Sequence, residues 1–130
     1  VVAPKPQLIR VFVNLITNAI QAVEMHQREV EAAEGEKFVG KVMIYLRNST
    51  RDGFYDVVVD DNGSGVKEEN VGKLFTPTCM SSSAGTGPGL GICRNIMEKC
   101  GGEISYKRSY SLGGASFTVT IPKKNDDEEC

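Results

Sequence analysis

The 130 residues predict a two-layer α+β sandwich, with about three helices on one face of a mixed, mostly antiparallel sheet. Three observations carry that prediction. Residues 6 to about 30 hold a long amphipathic helical pattern. Two pairs of strand-like segments follow, each pair joined through glycine. Helices and strands mix without a repeating βαβ unit, and neither G-x-G-x-x-G after a first strand nor G-x-x-x-x-G-K-[ST] occurs, so Rossmann and P-loop readings are poor.

In the first segment, Leu8, Val11, Phe12, Leu15, Ile16, Ala19, Ile20 and Val23 recur at three- and four-residue steps. That stripe must face a core. Pro6 suits an N-terminal helix position, where its missing N–H costs nothing. Arg10, Asn14, Asn18 and Gln21 form a second, polar stripe on the same helix. The acidic, glycine-broken stretch Glu31–Lys37 predicts a solvated loop.

Val39 to Asn48 alternates and predicts a strand. Asp52-Gly53 supplies the positive-φ position of a hairpin turn. Phe54 to Asp60 is the partner strand, its Val57-Val58-Val59 run dense enough for burial on both faces. Lys67 to Phe75 predicts a short helical turn or two, and 76–87, with three serines in a row, a mobile loop. Pro88 to Lys99 is a further helix closed by Gly101-Gly102. Glu103–Arg108 and Ser116–Ile121 are the last strands, so the domain spans 1–122 and a charged tail covers 123–130.

Hydrophobic residues at 40% and charged residues at 25% suit a globular domain. No uninterrupted apolar run approaches the roughly 18 residues of a spanning helix. A net charge of −2 gives no general attraction to nucleic acid or to anionic lipid, so neither nucleic acid nor direct membrane contact is expected. Val1-Val2-Ala3-Pro4-Lys5 lacks the layout of a signal peptide and reads as a cut through a longer protein. Cys79, Cys93, Cys100 and Cys130 contain no C-x-x-C pair, and His26, the one histidine, reads as surface. A zinc site is therefore disfavoured. Unpaired thiols fit a reducing, cytoplasmic compartment.

Three groups of residues carry chemistry. Asn14 and Asn18 share one helical face, and an amide oxygen is a hard ligand suited to Mg²⁺. Asp61-Asn62-Gly63-Ser64-Gly65 ends a strand, where a carboxylate can accept a hydrogen bond from an exocyclic amine while glycines admit a flat ligand. Of the 14 glycines, four lie in Gly85-Thr86-Gly87-Pro88-Gly89-Leu90-Gly91, directly before a helix. Backbone N–H groups freed there, at a helix N-terminus, form an anion site.

In this order the three groups resemble the ATP-binding catalytic domain of sensor histidine kinases, in the GHKL ATPase superfamily, from Leu8 to Pro122. Asn14–Ala22 is similar to the asparagine box, Asp61–Gly65 to the first glycine box and Leu74-Phe75-Thr76-Pro77 to the phenylalanine box. Gly85–Gly91 is similar to the second glycine box, and Gly101–Ile104 and Gly114–Phe117 to the closing strands. The resemblance implies the Bergerat-type ATP-binding fold and Mg-ATP as cofactor. Asn18 would ligate Mg²⁺ and Asn14 would help hold the phosphate end. Asp61 would bind the adenine amino group, with Gly63 and Gly65 shaping the pocket. Phe75, Thr86 and Leu90 would join the nucleotide site, and Gly85, Gly87 and Gly89 would let the 76–87 loop close over the triphosphate.

The implied reaction is transfer of the γ-phosphoryl group to a histidine on a separate dimerisation domain absent from this chain, and from there to a response regulator. Gyrase-like and chaperone ATPases carry a water-activating Glu four residues before the metal Asn. Asn14 stands there instead, which favours a non-water acceptor. Two departures support an alternative, a degenerate pseudokinase acting as an interaction module. Pro88 removes a backbone N–H beside the phosphates, and Thr78–Ser83 carries no cation.

Overall fold

The computed structural model describes residues 5–35, 37–76 and 89–123. Its elements run α1 (Lys5–Glu34), β1 (Val42–Asn48), β2 (Phe54–Asp61), α2 (Glu68–Val71), α3 (Gly89–Lys99), β3 (Glu103–Arg108) and β4 (Ala115–Pro122). The strands form one sheet in the order β1-β2-β4-β3, and all three pairings are antiparallel. Helices cover one face, giving the expected two-layer sandwich.

The core lies between that face and the two longer helices. Val11, Leu15 and Ala19 of α1 meet Leu90, Cys93, Ile96 and Met97 of α3 over Val59 of β2 and Phe117, Val119 and Ile121 of β4. The steps through Val11, Leu15, Ala19 and Val23 become buried, whereas Ile20, expected on the same stripe, stays 46% exposed at its edge. Within Pro6–Ala33 an 18-residue window reaches a mean hydropathy of 1.3, enough to cross a membrane by length and composition alone; Val11, Leu15 and Ala19 of that helix lie in the core of this fold, whereas Ile9 and Val13 stay exposed.

Two boundaries differ from expectation. α1 continues through the stretch expected to be a loop, because its Glu and Ala residues are good helix formers. It ends where Gly35 adopts φ +68° and donates its N–H to the Glu31 carbonyl, a left-handed cap. β1 starts at Val42 rather than Val39, because Asn62 takes over the preceding backbone. Asn62 Oδ1 accepts from the Lys41 N–H at 2.8 Å and Asn62 Nδ2 donates to the Val39 carbonyl at 2.9 Å.

The remaining turns follow the sequence. Gly53 (φ +84°) closes the first hairpin. At the end of α3, Gly101 (φ +77°) lets the Gly102 N–H reach back to the Met97 carbonyl at 2.8 Å. A Cβ at Gly102 would collide with the Thr120 carbonyl oxygen, so this helix end lies directly against the sheet.

β1 is an edge strand that alternates without burying a face. Ile44 and Leu46 remain 49% and 64% exposed, because α1 packs chiefly over β2 and α3. On the face of the sheet away from the helices, Asp56 is buried, accepting from Thr120 Oγ1 at 2.8 Å and pairing with Arg47 at 3.3 Å. That face holds a polar groove of about 320 Å³ lined by Arg47, Arg51, Asp56, Glu103, Lys107 and Thr118 among others, on the opposite side of the sheet from the candidate site.

Candidate nucleotide-binding site

One helix supports both halves of the site. Asn14 and Asn18 project from α1 one turn apart, and Ala22 follows one turn later. The loop after β2 lies on Ala22, since a Cβ on Gly63 would stand 3.0 Å from both the Ala22 carbonyl carbon and its oxygen. A side chain at Gly63 would press on the α1 backbone, so glycine eases the close approach of the Asp61–Gly65 segment to α1. Gly65, at φ +79°, then turns the chain away beside Gly114 and the Arg108 guanidinium.

Asp61 is built into this wall. It is 1% exposed, and its Oδ1 accepts from the Gly63 N–H at 2.9 Å and the Ala115 N–H at 3.2 Å. Its backbone carbonyl accepts from the Gly114 N–H at 3.1 Å. Burial pushes its carboxyl pKa up; the two backbone donors pull it down, the neighbouring Asp60 raises it, and His26 lowers it. Burial is the largest of these. The result is a desolvated carboxylate held in one orientation, suited to recognising a hydrogen-bond donor and to penalising a ligand that lacks one.

The asparagines differ from each other. Asn18 is 5% exposed, and its Oδ1 has no partner among the described residues. A buried, unpaired amide oxygen costs about 1–3 kcal/mol, a cost relieved when a ligand arrives. An oxygen donor of this kind fits Mg²⁺, which takes one or two protein oxygens beside phosphates and water. Asn14 is half-buried and donates Nδ2–H to the Cys93 thiol at 3.5 Å. The expected pair on one face is present, with one amide held and the other open.

The other expected residues fall into two sets. Gly89 opens α3 and Leu90 is buried in the core. Phe75 is half-buried, its ring edge-on to Phe117 with centroids 6.2 Å apart. Gly85, Thr86 and Gly87 lie outside the described residues, together with Pro88, the 78–83 segment and tail residues 124–130. His26 is not on the open surface. Its Nδ1 is buried without a partner among the described residues, and its ring meets Phe38 edge-on at 5.1 Å. The residues tethered by Asn62 carry Phe38 over it.

Sequence reasoning missed two contributors as site residues. Gly114 faces Asp61 so closely that a Cβ there would collide with Asp61 Oδ1. Ala115 supplies the second backbone donor to that oxygen. Their one sequence signal is the Gly113-Gly114 pair before the last strand, which announces a turn but not its neighbour. Cys93, at Asn14, had no signal at all.

Comparison with known proteins meets this geometry directly. Residues 4–125 match the family described as "Histidine kinase-, DNA gyrase B-, and HSP90-like ATPase". The chain belongs to that family. Sensor protein FixL of Bradyrhizobium diazoefficiens is 30% identical over 127 residues, covering 98% of this chain and 23% of FixL. Sensor histidine kinase ZraS of Escherichia coli K12 is 30% identical over 120 residues, covering 92% of this chain and 22% of ZraS. The chain thus spans about a quarter of the length of these curated relatives. Among solved structures, a nucleotide-free catalytic domain of histidine kinase ThkA superposes with a TM-score of 0.72 at 29% identity, covering 95% of this chain and 71% of that one. As a member of this ATPase family, the chain is an ATP-binding domain.

Proposed function

We propose that this domain binds Mg-ATP and donates the γ-phosphoryl group to a histidine on a dimerisation domain elsewhere in its parent protein, which then feeds a response regulator. The observation that carries this reading is the unpartnered Oδ1 of buried Asn18, on the helix that also supports the Asp61 loop. Asp61 accepts from the adenine amino group, with Gly63 and Gly65 shaping the pocket and Gly114 packed against the back of the carboxylate. Asn18 supplies an oxygen to the metal and Asn14 holds the phosphate end beside it. Mg²⁺ held there would supply charge neutralisation to the phosphates.

An amide at position 14 takes no proton from water. The domain therefore contributes positioning and charge rather than acid–base chemistry. Phe75 packs edge-on to Phe117 within the site, and Gly89 and Leu90 open the helix that follows; Gly85, Thr86 and Gly87, which the family resemblance assigns to the phosphate end, lie outside the described residues. The relatives are named as sensor proteins and sensor histidine kinases, which supports a two-component role and a cytoplasmic position for this domain. The pseudokinase alternative rests on Pro88 and the 78–83 segment, outside the described residues. An open buried amide oxygen favours the working site.

The test is incubation of the full parent protein with γ-labelled ATP. The expected result is protein-bound label that is acid-labile and alkali-stable, on a residue outside this chain. Release of inorganic phosphate with no labelled protein would overturn the transfer reading.

A further inference from the structure

Asn14 can serve the phosphate end of the site in two ways, by offering its amide oxygen or its amide hydrogens. Its surroundings decide which. The neighbour on α3 is Cys93, fully buried, with Sγ 3.5 Å from Asn14 Nδ2 and 3.9 Å from the Val11 carbonyl oxygen. The Cys93 thiol donates to the Val11 carbonyl, and a sulfur lone pair accepts from Asn14.

We propose that Cys93 is a positioning residue that fixes the Asn14 side chain with its NH₂ group toward α3, presenting the amide oxygen as a second oxygen donor at the metal end. This rests on the reading of Asn14 and Asn18 as that end. The contact joins residues 79 positions apart, so it also ties the metal end of α1 to the helix that follows the second glycine-rich segment. Outer-shell partners of this kind hold an oxygen ligand in the orientation that a metal with strict geometry demands.

Three variants separate positioning from packing. Cys93→Ser keeps an O–H donor and a lone-pair acceptor, Cys93→Val keeps bulk without an acceptor, and Cys93→Ala removes both. ADP binding is measured by calorimetry with and without Mg²⁺. In Cys93→Val and Cys93→Ala the gain in affinity on adding Mg²⁺ should fall by about ten- to a hundredfold, as for loss of an outer-shell partner. Their Mg²⁺-free ADP affinity should stay at the parent value, and Cys93→Ser should behave as the parent in both. In nucleotide-free protein, the side-chain amide protons of Asn14 should exchange with water more slowly in the parent and Cys93→Ser than in Cys93→Val. An undiminished Mg²⁺ gain in Cys93→Val, or equal amide exchange in Cys93→Val and parent, would overturn the proposal. Should the parent bind no ADP at all, the nucleotide reading fails, and amide exchange alone decides the Cys93 contact.

Discussion

The proposed adenine end and the proposed metal end of the site solve the same problem in opposite ways. At Asp61 a buried charge is answered from within the fold, by the Gly63 and Ala115 N–H groups on its Oδ1. At Asn18 a buried amide oxygen has no partner among the described residues. In the first, one carboxyl oxygen is held before any ligand arrives. In the second, an oxygen lone pair is left unused, which under the proposed function a cation would take up. At the first end two hydrogen bonds offset part of the desolvation of the carboxyl, whereas at the second no partner among the described residues offsets the buried oxygen.

Substitutions at the two ends should separate along that line. The largest effect is expected for Asp61→Ala, which strands two buried backbone donors at about 1–3 kcal/mol each and removes the acceptor for adenine. Thermal unfolding should move down markedly and ATP-analogue binding should disappear from titration. An Asp61→Ala protein as stable as the parent would remove the distinction between the ends. Next is Gly114→Ala. A Cβ there collides with Asp61 Oδ1, so overpacking should cost about 1–3 kcal/mol and weaken nucleotide binding through displacement of the carboxylate. Denaturant unfolding combined with titration checks both halves.

A smaller effect appears with pH. Burial holds the folded-state pKa of Asp61 above its unfolded value, so folded protein binds that proton more tightly. Stability from this group is complete below the unfolded pKa and is lost as pH rises through the folded one. Asp61→Asn lacks that titration and keeps an oxygen for the two donors. Its melting temperature should therefore gain on the parent's as pH rises from about 4 toward neutrality. A constant difference across that range would show that the carboxyl is not desolvated. The smallest effect belongs to the far face. Arg51 pairs with Glu103 at 2.7 Å with both side chains more than half exposed, so Arg51→Ala should leave unfolding and nucleotide affinity essentially as in the parent.

The two ends also differ in how much of them the sequence discloses. Asn14 and Asn18 lie on one helix, and a four-residue step is enough to place them together. Asp61, Gly63 and Gly65 form one local run. The partners are another matter. Ala115 reaches Asp61 from 54 positions away, and Cys93 reaches Asn14 from 79. Contacts made by folding the sheet and docking α3 leave no periodic trace. The same holds for smaller departures in the fold. Acidic composition suggested a loop at 31–37, but charge does not stop a helix, and Gly35 does. The alternation of 39–48 fits a strand, yet says nothing of Asn62 competing for its first backbone groups. His26 looked like surface because nothing local announces Phe38 above it.

The central claim is that the Asn18 oxygen waits for a metal. Its most direct test is calorimetric titration of ADP into the parent and Asn18→Ala, each with and without Mg²⁺, alongside thermal unfolding of both. The parent should bind more tightly with Mg²⁺. Asn18→Ala should lose that gain while unfolding at the same temperature or higher, since an unpaired buried oxygen has been removed. An Asn18→Ala protein that keeps the full Mg²⁺ gain would contradict the account.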